Sequence, residues 1–295
     1  MLNNIIYKNK SILHRLTARF RKNSLYSKVL EKTGSKKEKQ KWIFILGCYN
    51  SGTTLLNEIL AQHPEISGLP DEGVMLTNQL VKPEDFGWRR MWSQCEAKME
   101  NSSVNKNKNA HIIKKHWSHF YEPNIFFVEK SISNICRIPF FAENFKPAYF
   151  IHIVRNGYAA AEGIQRKAEI MEDNKFHGNQ KYPIEICIDQ WTQSLDKIEK
   201  SKIEMENFLE ISYEELSEET VKTMNKITDF LNLNNYPPDF FRKSFLIHGS
   251  NNKIRNMNKK SLSNLNTRDL EIINERASLY LSKYGYDLIT ARSDS

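Results

Sequence analysis

Two hydrophobic periods alternate along this chain. Short unbroken apolar runs are followed by longer stretches in which apolar residues return every three or four positions. The clearest run, Trp42-Ile43-Phe44-Ile45-Leu46, is apolar on both faces and predicts a buried parallel strand. After Gly47 and Gly52, the stretch Thr53-Thr54-Leu55-Leu56-Asn57-Glu58-Ile59-Leu60 has helical spacing. It predicts an amphipathic helix to about Gln62, stopped by His63-Pro64-Glu65. A loop over residues 67–73 leads to an aromatic-rich region around Trp88 and Trp92. Residues 101–109, NSSVNKNKN, read as an exposed polar loop. Further strands are predicted at Phe126–Lys130, Tyr149–Arg155 and Phe208–Ser212. Helices are predicted at Asn134–Asn144, Tyr158–Met171, Pro183–Lys202, 218–231 and 268–284. Strands alternating with helices, with no internal repeat, predict one α/β domain over residues 42–295, a central parallel sheet flanked by helices.

Charge changes this picture at one end only. The chain of 295 residues has a net charge of +8, which suggests a polyanion partner until the charge is located. Twelve Lys/Arg fall within residues 1–42 against two acids, Glu31 and Glu38, so the rest of the chain is close to neutral. No nucleic acid partner is therefore expected for the body. Residues 1–41 predict a basic, largely helical arm, compatible with a solubilising segment or with peripheral contact to a membrane or polyanion. No apolar run approaches the roughly 18–20 residues of a membrane span, and charge interrupts the start too soon for a secretory signal. A cytoplasmic setting is the expectation. Cys48, Cys95, Cys136 and Cys187 lack metal-ligand spacing and read as reduced thiols. His111, His116 and His119 read as surface or acceptor-groove residues rather than metal ligands, and no metal is expected.

The chemistry is concentrated where strands meet helices. Strand, glycine loop and helix N-terminus, as in Gly47-Cys48-Tyr49-Asn50-Ser51-Gly52-Thr53-Thr54, is an arrangement that points backbone N–H groups at an anion. It is P-loop-like, but the lysine that a nucleotide P-loop carries after its second glycine is Thr53 here. Arg155 leaves a strand ahead of a helix, a position suited to a phosphate, and Arg166 and Lys167 add charge later in that helix.

These blocks resemble the cofactor-binding blocks of sulfotransferases that use 3′-phosphoadenosine 5′-phosphosulfate (PAPS), nearest to the tyrosylprotein sulfotransferase branch and its bacterial relatives. The likeness spans about residues 42 to 265. Ser51-Gly52-Thr53-Thr54-Leu55-Leu56 is similar to the family's 5′-phosphosulfate loop, and Ile153-Val154-Arg155-Asn156-Gly157 to its 3′-phosphate block. The resemblance implies that Lys130, in Glu129-Lys130-Ser131, stabilises sulfuryl transfer, that Glu72 is the catalytic base, and that Tyr213 contacts the cofactor. More loosely, it offers Ser250 as a further phosphate contact. Two positions depart from the family pattern. Asn50 stands where a basic residue is usual, and Gly163 where a serine follows the 3′-phosphate arginine. The implied activity is sulfuryl transfer from PAPS to an acceptor hydroxyl on a glycan, lipid or small metabolite, with protein tyrosine less favoured. A P-loop kinase and a non-catalytic member of the fold are the alternatives.

Overall fold

The computed structural model describes residues 12–35, 39–100, 106–247 and 249–290. The first eleven residues, 36–38 and the 101–105 part of the predicted loop lie outside these. In chain order, helices α1 (12–20) and α2 (Ser24–Thr33) lead into strand β1 (Lys41–Leu46), helix α3 (Thr53–Leu60) and strand β2 (Ile66–Gly68). Helices α4 (Glu96–Glu100) and α5 (Lys106–Trp117) precede β3 (Phe126–Glu129), α6 (Ile138–Asn144), β4 (Ala148–Val154), α7 (Gly157–Lys167) and α8 (Ile184–Ser201). Then follow β5 (Asn207–Ser212), α9 (Tyr213–Glu218), α10 (Thr220–Leu231), the hairpin β6 (Phe245–Ile247) and β7 (Ser250–Asn252), α11 (Asn258–Leu262) and α12 (Thr267–Lys283).

Five strands form one parallel sheet in the order β2-β3-β1-β4-β5. From β1 the chain moves to one side for β2 and β3 and to the other for β4 and β5. Such a sheet opens a crevice at the strands' carboxyl ends, beside the strand where the order reverses. That end carries the loop after β1 together with Lys130 and Arg155, which follow β3 and β4 directly. The alternation within β1 divides the core. Trp42 and Phe44 pack with Trp117, Phe127, Phe141 and Phe145 on one face. Ile43 and Ile45 join Leu56, Ile59, Ile151 and Ile153 on the other.

Several predicted boundaries move. The strand Ile66–Gly68 takes the start of the expected 67–73 loop, since three residues carry too little pattern to declare a strand. Residues 106–109 belong to α5 rather than to the exposed loop. The helix expected to Met171 stops at Lys167, where Ala168 turns extended (φ −81°, ψ 118°). The helix expected from Asn134 is a 3-10 segment, Ile132–Arg137, and then α6 with proline in its first turn. The helix expected over about 218–231 is α10, Thr220–Leu231, and a Ser212–Glu215 capping box starts a separate short helix, α9, before it.

The lead-in helices lie against the body. The buried Arg21 donates to both oxygens of Asp85 at 2.9 and 3.0 Å, and His14 meets Asp71 at 3.1 Å. His116 corrects the sequence reading: it is buried, not in a groove. Its ring lies 2.9 Å from the Thr77 hydroxyl and 3.1 Å from the Ser27 carbonyl, and burial pushes its pKa down to about 4. His119 likewise lies 2.9 Å from the Leu30 carbonyl, while His111 is exposed. Among the described residues no helix is long and apolar enough to cross a membrane.

Candidate active site

At the carboxyl ends of β1, β3 and β4 lies a cavity of about 410 Å³. The loop after β1 forms its floor. Asn50 takes the left-handed region (φ 64°), which asparagine tolerates better than most side chains, and Gly52 (φ 95°) opens α3. A side chain at Gly52 would strike the Tyr213 ring at 2.6 Å, so the position also needs glycine for space. The first N–H groups of a helix have no intrahelical acceptor, and in α3 no side chain caps them and no acid stands in the first turn; Thr53 and Thr54 of that turn line the cavity. Ser51 lies beneath the loop, buried, with its Oγ unpartnered.

Arg155 is only 7% exposed. Its Nη1 donates to the Asn50 carbonyl at 2.6 Å, its Nε to Asn258 Oδ1 at 2.8 Å, and its guanidinium stacks over the Tyr213 ring at 4.3 Å. Burial lowers its pKa, yet a guanidinium remains charged, and its Nη2 has no hydrogen-bond partner. Asn50 Nδ2 and Ser133 Oγ, both buried at the cavity, are likewise unpartnered. Each of these groups can donate, so the wall fits an oxyanion. Tyr213 turns its ring to Arg155 and to the loop at Gly52. Its hydroxyl donates to the Arg255 carbonyl at 3.1 Å and accepts from the Met257 amide at 3.1 Å, which fixes the segment after β7 over the cavity.

Opposite the loop, Lys130 donates to Glu72 Oε1 at 2.7 Å. Lys130 is held by β3, and the segment carrying Glu72 is held by Glu129. Its carboxylate accepts the Gly73 amide at 2.8 Å and also bonds the Ser131 hydroxyl and the Asn134 amide. Trp117 Nε1 donates to the Gly73 carbonyl at 3.0 Å, so both backbone groups of Gly73 are fixed. Burial pushes the Glu129 carboxyl up to about 7.

Of the residues singled out in the sequence, the structure brings Asn50, Gly52, Thr53, Thr54, Glu72, Lys130, Arg155, Gly163, Arg166 and Tyr213 to one cavity. Ser51 lies just behind it. Ser250 is not brought there: it sits exposed in β7, its carbonyl bonded to Asn252 Nδ2, because the hairpin turns outward before the chain reaches the cavity at Asn252. Arg166 is paired with Glu162 at 2.6 Å, which leaves Lys167 the more available cation of the two. Burial, and then Arg90, Arg166 and Arg155, depress the Lys167 pKa to about 8. The two departures, Asn50 and Gly163, turn out to be neighbours. A Cβ on Gly163 would stand 2.8 Å from both Cβ and Cγ of Asn50.

The sequence reading passed over Arg90, Lys82 and Glu129. Arg90 lies over the Tyr49 ring at 5.8 Å with left-handed backbone (φ 61°), and it lines the cavity with Lys82. No motif surrounds Arg90 or Lys82. Glu129 stood inside a quoted motif, but its burial could not be read from the sequence.

A model of the sulfotransferase family matches residues 43–238. The chain is similar to protein-tyrosine sulfotransferase 1 of Danio rerio, 26% identical over 204 residues, covering 65% of this chain and 53% of that protein. It thus spans about half the length of the curated relative it matches. Among solved structures it is similar to the sulfotransferase domain from the curacin biosynthetic pathway (TM-score 0.52, 20% identity, 86% of this chain and 100% of that one). It is also similar to sulfotransferase STF9 of Mycobacterium avium (TM-score 0.53, 12% identity, 97% and 86%). At these identities the two structures speak for the fold alone.

Proposed function

The chain belongs to the sulfotransferase family, and from that premise we propose that it transfers a sulfuryl group from PAPS to an acceptor hydroxyl. One observation carries the reading. A helix N-terminus, a buried arginine with an unpartnered Nη2, and a Lys130–Glu72 pair face one cavity. The first two suit the phosphates at the two ends of the donor, and the third suits the reacting hydroxyl. A triphosphate reading has less support, because Thr53 occupies the place of the P-loop lysine.

In this reading the first turn of α3 holds the 5′-phosphosulfate, while Arg155 and Lys167 hold the 3′-phosphate. Glu72 accepts the proton of the acceptor hydroxyl. Lys130, now paired with that carboxylate at 2.7 Å, orients it and counters negative charge that develops at the bridging oxygen. Bound there, the donor supplies an activated sulfuryl group and leaves as adenosine 3′,5′-bisphosphate (PAP). Asn50 can donate a hydrogen bond to the loop's anion but brings no charge. Arg90 and Lys167 place that charge elsewhere on the wall.

The acceptor side mixes apolar Val74, Met75 and Ile132 with Lys82 and Arg90. This supports a glycan, lipid or small-metabolite hydroxyl, and likeness to the Danio rerio protein-tyrosine sulfotransferase adds a tyrosine hydroxyl. Labelled PAPS offered with a panel of sugars, sterols, phenols and tyrosine peptides tests the proposal. Wild type should label at least one acceptor. Glu72→Gln should fall to background while binding PAP as tightly as wild type. Equal loss of both properties would remove Glu72 from the role of base, and magnesium-dependent ATP turnover in place of sulfation would overturn the reading.

A further inference from the structure

The two lead-in helices carry apolar residues on two sides. Inward, Leu30 is buried and Leu13 packs against the core, while Ser27 donates to Asn78 at 2.9 Å, and Arg21, in the turn between the helices, reaches Asp85. Thr17 bonds the Tyr26 hydroxyl at 2.7 Å and so joins the two helices. Their outward sides also hold large apolar residues. On α1 the exposed positions are Ile12, Arg15, Leu16, Arg19 and Phe20, a single helical stripe. On α2 they include Leu25, Lys28, Val29 and Lys32, with the same three-then-one spacing. Leu25 is 73% exposed and Val29 53%. Five of the eleven large hydrophobic residues exposed among the described residues fall between positions 12 and 29.

Apolar and cationic side chains thus alternate along both stripes. The only acid between residues 12 and 35, Glu31, is half-buried and off them. Ordinary solvent does not favour five outward aliphatic and aromatic side chains so close together. A second copy of the chain would set these cations against their like. A free polyanion would answer the charges but leave the apolar side chains in water. An anionic bilayer surface answers both, because apolar side chains enter the acyl boundary while Lys and Arg meet the headgroups. We propose that α1 and α2 form a peripheral docking face for an anionic membrane.

The face is tied to the cavity. His14 and Arg21 hold it to Asp71 and Asp85, and Arg21 Nη1 also donates to the Val74 and Leu80 carbonyls at 3.5 and 3.4 Å. The segment so gripped carries Glu72 and Lys82 of the cavity wall. Docking therefore sets the acceptor side of the cavity at a fixed position relative to the bilayer.

Flotation of the full chain with lipid vesicles tests the proposal. It should float with vesicles of phosphatidylcholine and phosphatidylserine, not with phosphatidylcholine alone, and raised salt should release it. Lys28→Glu/Lys32→Glu, and separately Leu16→Asp/Leu25→Asp/Val29→Asp, should each weaken partitioning by about tenfold or more. Both should keep the wild-type circular dichroism spectrum and melting temperature, since all five positions are exposed. No flotation with phosphatidylserine vesicles, or variants that float like wild type, would overturn the proposal. So would dimerisation in light scattering that the same substitutions abolish without any lipid binding.

Discussion

Asn50 and Gly163 are best understood as one adaptation. The side chain missing at Gly163 is the space that Asn50 fills, and the left-handed turn at Asn50 suits asparagine. Restoring the usual serine alone should therefore harm the protein. Gly163→Ser is expected to destabilise by about 1–3 kcal/mol through overpacking against Asn50. Adding Asn50→Gly should recover most of that, which denaturant melts of the single and double variants would measure. No recovery would mean that the two positions are independent. Lys167 makes a second prediction. Its protonated form should hold the cofactor's phosphate, and burial beside Arg90 depresses its pKa to about 8. Affinity for PAP should then be greatest below that pH and fall by up to about tenfold per pH unit above it. Lys167→Met should bind more weakly and lose the slope, as calorimetry across the range would report. A wild-type affinity flat through pH 8 would remove Lys167 from the phosphate site.

The end of β3 fixes the segment that carries Glu72. Glu129 there is buried and ties down the Gly73 segment, and its carboxyl titrates near 7 in the fold against 4.5 when exposed. The folded state thus holds a proton that the unfolded chain releases. Its contribution is present below about 4.5 and lost as pH rises through about 7. Melting temperature should decline across that window, by up to about 3 kcal/mol in stability, and Glu129→Gln should flatten the decline. A variant with an undiminished slope would place the titration elsewhere. Local pattern made the strong elements legible: β1, α3, β4 and α8 declare themselves through unbroken apolar runs or helical periodicity. β2 and the β6–β7 hairpin did not, because three-residue strands are defined by their partners. The site divides in the same way. Residues adjacent to strand ends in sequence, such as Lys130 and Arg155, were readable. Arg90 and the burial of Glu129 depend on chain segments brought together only by folding.

At the scale of the whole molecule, a parallel sheet whose order reverses at β1 collects three loops at one end, and the lead-in helices clamp the segment that carries Glu72. The same topology explains why a near-neutral body presents a cation-rich cavity. Lys82, Arg90, Lys130, Arg155 and Lys167 come from separate stretches and meet only there, against Glu72 and Glu84. A cavity built for a phosphosulfate nucleotide must bind PAP, which calorimetric titration of the full chain without magnesium measures most directly. One saturable site is expected, abolished by Arg155→Met in a variant whose circular dichroism spectrum shows that it is folded. No binding of PAP by a folded wild-type chain, or binding unaffected by Arg155→Met, would contradict this reading of the cavity.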